Sequence, residues 1–229
     1  CNVTTHDVEI VCQSSPGVGF DQKWSLTVGD QRVSSTWTTS YTAPQIEALN
    51  PSVNTFSTRG GDLLTLIGTN FGPVRADNEV SAWYGNSALR NLAGTTFNAT
   101  NCTVITADVQ MRCEVAPGVG HKQRWRTKVG AQASGWSVNT SSYTSPAISL
   151  LSSQSIAVDS LSTRGGDLVT ISGSNFGPLT SFYGISNEVL MVYQSHVSVS
   201  SQLAGFLYDA LQCNVTSAHV EILCSTSPG

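Results

Sequence analysis

Six cysteines, four histidines and five Asn-x-Ser/Thr sites are the residues of this sequence whose chemistry depends on spacing. The cysteines fall into three pairs, Cys1 and Cys12, Cys102 and Cys113, Cys213 and Cys224, each with ten residues between. If each segment folds about its midpoint, the turns fall at His6-Asp7, Ala107-Asp108 and Ala218-His219, and Cys faces Cys across two antiparallel strands. A non-hydrogen-bonded pair of that kind is within disulfide reach. Val8, Ile10 and Cys12 share a face, as do Val109, Met111 and Cys113, and Val220, Ile222 and Cys224, so each disulfide should point into a core. Closing so short a loop stabilises by roughly 2–3 kcal/mol in the chain-entropy account. Zinc is the rival use of cysteine. Its ligands come as close pairs such as C-x-x-C, and the sequence has neither such a pair nor a histidine cluster.

Disulfides require an oxidising compartment, which predicts an extracellular or lumenal protein. The sequons Asn2, Asn98, Asn101, Asn139 and Asn214 point the same way and predict N-linked glycans. Enzyme chemistry has little to stand on. His6, His121, His196 and His219 do not share one repeat position, and Asp62 and Asp167 read as turn residues beside Gly-Gly, not as a catalytic pair. There is no nucleophile elbow or phosphate loop, and no cofactor is expected. The run Arg59-Gly60-Gly61-Asp62 differs from the integrin-binding Arg-Gly-Asp by a glycine that changes its reach, and it reads as a turn.

The elements that must position these residues follow from a repeat. Ser57-Thr58-Arg59-Gly60-Gly61-Asp62 and the strand-like Leu63–Thr69 end in Asn70-Phe71-Gly72-Pro73; the same pattern returns from Ser162 to Pro178, 105 residues on. Gly-Gly implies a turn with at least one positive φ, the alternation after it a period-two strand, and Gly-Pro a stop, with Phe71 plugging the end of the core. A period of this size means tandem domains. Pro16–Gly19 and Pro117–Gly120 lead into strands in which Trp24 and Trp125 hold equivalent places and read as core or half-buried packing. Last strands run through Trp37 to Tyr41 and Trp136 to Tyr143. Strands are also predicted at Asn78–Gly85 and Asn187–Tyr193, with variable excursions over 86–101 and 194–212. The junctions Tyr41-Thr42-Ala43-Pro44 and Tyr143-Thr144-Ser145-Pro146 have no Gly/Ser spacer and no acidic cluster, so they should bend little and bind no calcium.

With 40% hydrophobic and 11% charged residues, and no sustained helical spacing, the chain is predicted all-β. A net charge of −4 without a basic cluster argues against nucleic acid, and no apolar run is long enough to cross a bilayer. The sequence reads as a slice of a longer protein, because it starts and stops inside repeats.

Taken together, Pro44-x-Ile46, Gly60-Gly61-Asp62-x-x-Thr65-x-x-Gly68-x-Asn70-Phe71-Gly72 and Cys102…Cys113-x-x-x-Pro117-x-Gly-x-Gly120 resemble the IPT/TIG domain of plexin-like and fibrocystin-like surface proteins. The resemblance implies tandem immunoglobulin-like β-sandwiches of the IPT/TIG type with one disulfide hairpin each: 1–43 the C-terminal part of one domain, 44–145 a complete domain, and 146–229 the N-terminal part of a third. Residues 1–17 resemble 213–229 more than either resembles 102–118, so a two-domain unit is expected. The fold serves chiefly as a spacer or docking surface. Two functions follow as expectations. One is a long extracellular structural glycoprotein, a stalk, cell-surface fibre or appendage filament, whose partners are other copies of itself or other surface proteins. The other is a ligand-binding or adhesive region of a receptor ectodomain. Strict alternation, stiff junctions and the lack of a distinctive aromatic or charged patch in any one repeat favour the first, with no membrane contact within this segment.

Overall fold

The structure is a computed structural model that describes residues 1–51, 55–75, 79–86, 96–153, 157–179, 189–194 and 207–229. Among these, regular structure is all strand. The first unit holds β1 (Asn2–Thr5), β2 (Glu9–Val11), β3 (Gln22–Val28) and β4 (Gln31–Thr39). The second holds β5 (Gln45–Asn50), β6 (Thr55–Phe56), β7 (Leu63–Thr69), β8 (Val80–Asn86), β9 (Thr96–Asn98), β10 (Thr100–Thr106), β11 (Gln110–Glu114), β12 (Gln123–Val129), β13 (Gln132–Ala133) and β14 (Thr140–Tyr143). The third holds β15 (Ala147–Ser152), β16 (Leu168–Ser174), β17 (Val192–Gln194), β18 (Leu207–Asp209), β19 (Leu211–Ser217) and β20 (Glu221–Ser225).

In the second unit two sheets face each other, one in the order β10-β11-β7-β5 and the other β6-β14-β12-β8-β9 with β13 beside β12. Alternation along β7 and β12 sends every second side chain inward. Leu64, Leu66, Met111 and Cys113 from one sheet therefore meet Tyr84, Trp125 and Val129 from the other, all at most 1% exposed. Trp125 stacks on Tyr84 at 4.1 Å between centroids, and its indole N–H donates to Ser141 Oγ at 2.9 Å. Phe71 closes the end of this core at 0% exposure, as its sequence position implies.

Tyr84 and Tyr143 meet hydroxyl to hydroxyl at 2.6 Å; Tyr143 donates to the Ala116 carbonyl and the Ala116 N–H donates to Tyr84. Burial pushes the Tyr84 hydroxyl up to about 12, against the lowering effect of its hydrogen bonds to Tyr143 and Ala116, and raises Tyr143 as well. Gly118 lies where a Cβ would run into Phe97 and Tyr143, which is why a glycine follows Pro117 here. Gly60 and Gly61 take φ +74° and +82°, and Gly165 and Gly166 repeat them at +71° and +85°.

The third unit repeats the first sheet as β15-β16-β20-β19. Ile171, Phe176, Val215, Ile222 and Cys224 form its buried cluster, while Leu150, Leu151 and Leu168 are exposed. In the first unit β1 pairs β2 and β3 pairs β4, and the described residues bring no second sheet over them. Trp24 is 45% exposed, where its counterpart Trp125 is fully buried.

The strand expected at Asn78–Gly85 is β8; residue 78 lies outside the described residues. Of Asn187–Tyr193, residues 187 and 188 also lie outside them, and pairing begins only at Val192. The excursion over 86–101 contains β9, whose Phe97 enters the core and stacks on Tyr84 at 5.3 Å. The final strand of the first unit starts earlier than expected, at Gln31, whereas in the second it divides into β13 and β14.

Candidate functional site

The cysteines join within hairpins, Cys1 to Cys12, Cys102 to Cys113 and Cys213 to Cys224, with Cα atoms 4.0, 4.1 and 4.1 Å apart. The turns lie where the midpoints put them, with Asp7, Asp108 and His219 at φ +62°, +70° and +70°. The strands are less regular than a simple two-strand ladder. Register shifts between Thr100 and Thr103 and between Leu211 and Asn214, where Asn101 and Gln212 take φ +49° and +50°. A bulge of this kind re-aims the residue after it. Cys113 and Cys224 face the core at 0% and 3% exposure.

Among the described residues the candidate acids and histidines do not come together. Asp62 and Asp167 each accept the backbone N–H five residues earlier, from Ser57 and Ser162, both at 2.6 Å, and so serve as turn residues. His6 is exposed at a hairpin tip beside Asp7, His121 is exposed, and His196 lies outside the described residues. Among the described residues no group of three His, Cys, Asp or Glu side chains could hold a metal ion, and no helix is long and apolar enough to cross a membrane. All five sequon asparagines are exposed.

The repeated polar chemistry lies at the two joints. Asn70, at φ +63°, donates its side-chain amide to the carbonyl of Ala43, just before Pro44, at 3.1 Å. Asn175, at φ +62°, does the same to Ser145, before Pro146, at 3.1 Å. Each asparagine sits in a turn tied to its own hairpin tip: Phe71 N–H donates to Asp108 O and Asp108 N–H to Gly72 O, matched by Phe176 with His219 and His219 with Gly177. Asn is one of the few side chains that tolerate such a φ, and its short amide reaches the incoming strand.

Further contacts tie neighbouring units. At the first joint Gln132 Nε2 donates to Tyr41 O at 2.9 Å, and Gly130 comes so close to Val18 and Gly19 that a Cβ on it would lie 2.8 Å from the Gly19 nitrogen. At the second, His219 Nδ1 lies 2.9 Å from the Thr58 hydroxyl, while within the second unit Thr144 anchors the start of the linker by bonding Phe56 O through its N–H and its hydroxyl. Burial holds His219 below its ordinary pKa, and nearby Arg59 adds to the effect. A cleft of about 460 Å³ remains at this joint between His121 and Tyr143 on one side and Asn175, Phe176 and Met191 on the other.

The structure also assembles a patch that no single repeat of the sequence displays. On the outer face of the second unit the Arg126 guanidinium lies between two indoles, 5.8 Å from the Trp83 ring centre and 5.9 Å from that of Trp136. Arg126 Nε donates to Ser134 O at 2.6 Å. The alternation of β12 also turns Arg124 and Lys128 outward. Trp83, Arg126 and Trp136 come from separate parts of the sequence, and only the pairing of β12 with β8 brings the first two together.

No curated protein matches the sequence. A solved structure with a similar trace is SGBP-B from a complex xyloglucan utilization locus in Bacteroides uniformis, at 18% identity and a TM-score of 0.32, covering 82% of this chain and 43% of that one. This chain thus spans less than half the length of that structure. Residues 44–145 match the IPT/TIG domain family, a non-catalytic kind whose immunoglobulin-like fold suits an extracellular or cell-surface protein, as the disulfides do. Residues 44–145 are therefore an IPT/TIG domain, the complete two-sheet sandwich in a tandem of immunoglobulin-like units.

Proposed function

We propose that this chain is part of a long extracellular repeat glycoprotein with a structural role, a stalk, surface fibre or appendage filament, in which IPT/TIG units stand end to end as a stiff rod. The observation that carries this reading is the duplicated joint, in which Asn70 and Asn175 clasp the carbonyl before the linker proline at the same distance. Gln132 on Tyr41 and His219 on Thr58 add side-chain bonds between neighbouring units. Proline removes one backbone freedom from each linker and the asparagine restrains another, so bending meets resistance in both places. The exposed sequons suit a glycoprotein with its glycans directed outward, and its partners are other copies of itself or other surface proteins.

Small-angle scattering of the secreted chain, with negative-stain microscopy of native material, tests the rod. Strands of six to eight residues with their loops make a unit about 35–45 Å long, so a two-domain repeat should recur every roughly 70–90 Å. A narrow spread of interdomain angles is expected, and it should widen in the Asn70→Ala/Asn175→Ala double variant. Wide scatter already present in the wild type would defeat the rod and put the receptor reading first.

A further inference from the structure

Four residues stand in a line across the outer face of the second sheet: Trp136, Arg126, Trp83 and Asn98. Arg126 on β12 is directly opposite Trp83 on β8, and Trp83 is directly opposite Asn98 on β9. The first three already form a stack, with Arg126 held between the indoles and fixed by its bond to Ser134 O. Asn98 is exposed and opens the sequon Asn98-Ala99-Thr100. Its neighbours on the inward face, Phe97 and Tyr84, are locked in the core, so the outward direction of Asn98 and Trp83 is fixed by the pleat.

Directly opposed residues hold their Cβ atoms about 4.5–5.5 Å apart. A sugar attached to the Asn98 amide therefore starts beside the Trp83 indole, on the side away from Arg126. The C–H bonds on one face of a pyranose carry partial positive charge and are apolar, which suits the electron-rich face of an indole as a cation does. Two other sequons lack this arrangement: Asn2 faces Val11 and Asn214 faces Leu223. Asn101 gives its side-chain amide to Glu114 at 2.8 Å.

We propose that Trp83, backed by Arg126 and Trp136, is the seat of the first sugar of an N-linked glycan on Asn98, which lies on the sheet as the fourth member of the stack. The glycan then covers the outward row of Arg124, Arg126 and Lys128 and closes this face of the sandwich to lateral contact. The inference needs passage through the secretory pathway but not the rod, because every residue in it belongs to one domain.

The test uses the whole chain secreted from eukaryotic cells and trimmed to a single N-acetylglucosamine per site. Glycopeptide mass spectrometry should find Asn98 occupied. The acetyl methyl protons of that sugar should resonate upfield, under the indole ring current, and show a nuclear Overhauser contact to Trp83. Trp83→Leu should return the methyl to the position of the free sugar with Asn98 still occupied. A second variant, Thr100→Ala, leaves the four residues in place and removes only the sugar. Amide exchange in β8 and β9 should then quicken about two- to tenfold, the worth of one aromatic contact. An empty Asn98, an unshifted methyl, or exchange unchanged by loss of the sugar would each overturn the proposal.

Discussion

Replacing Trp125 by alanine removes the largest fully buried side chain of the second unit. The indole stacks on Tyr84 at 4.1 Å and donates to Ser141 Oγ, which is itself buried. Truncating a buried tryptophan to alanine costs about 3–5 kcal/mol, and the stranded serine hydroxyl places this site toward the upper half of that range. Because the chain holds several units, its melting is not one two-state event, and a local probe is required. Amide exchange of peptides from β7 and β11 reports opening of this domain alone. At tenfold per 1.4 kcal/mol, 3–5 kcal/mol accelerates exchange by about 10²–10⁴-fold. Trp125→Phe keeps an aromatic ring and loses the N–H, so it should recover most of the loss. Val138→Ala is the internal control: 83% exposed in the same domain, it should change exchange there by less than about tenfold. If Trp125→Ala shifts exchange by less than tenfold, or Val138→Ala matches it, burial of the indole is not what holds this domain closed.

Three other outcomes are expected. Gly68→Ala pushes a Cβ into the Gln45 carbonyl and should destabilise the domain by about 1–3 kcal/mol in the same exchange assay, with strand β5 loosening first; slow exchange in β5 would count against it. The Cys102→Ala/Cys113→Ala pair should lower stability by roughly 2–4 kcal/mol, read as a lower urea midpoint for those peptides, and an unchanged midpoint would deny the hairpin a stabilising role. His219, held below its ordinary 6.5, stays neutral in the folded joint while the unfolded chain takes a proton. Its contribution is therefore complete above that value and is lost as pH falls below it and through the lower folded-state pKa. Scattering profiles at pH 8 and pH 5 should differ in the wild type and coincide in His219→Gln, and identical wild-type profiles would remove the histidine from the joint.

Local rules carried much of the fold. Gly60-Gly61, the alternation of Leu63–Thr69 and the stop at Asn70-Phe71-Gly72-Pro73 each act over a few residues, so the turn, strand and plug could be read directly. The ten-residue cysteine spacing did the same for the hairpins, though not for the bulge at Asn101, which follows from a strand register and not from composition. Proline was legible as a stiffener; the asparagine clasp was not, because Asn70 and Ala43 are far apart in sequence and the amide's direction depends on a left-handed turn. The Trp83–Arg126–Trp136 stack was missed for a related reason. Its members are scattered along the chain, and only cross-strand register aligns them.

The asparagine clasp also bears on how such a chain could grow. Asn70 belongs to the unit that follows the linker, and its turn is tied to that unit's own hairpin tip. What it grips is a backbone carbonyl, Ala43 in one case and Ser145 in the other, so the grip is indifferent to the side chain it meets. Each unit thus carries the fitting that orients it on whatever precedes it. In the proposed rod, a gene segment encoding one unit or a pair could be duplicated, lost or moved without matching changes next door, which would leave the rod's length open to unequal crossing-over while the direction of each link is kept.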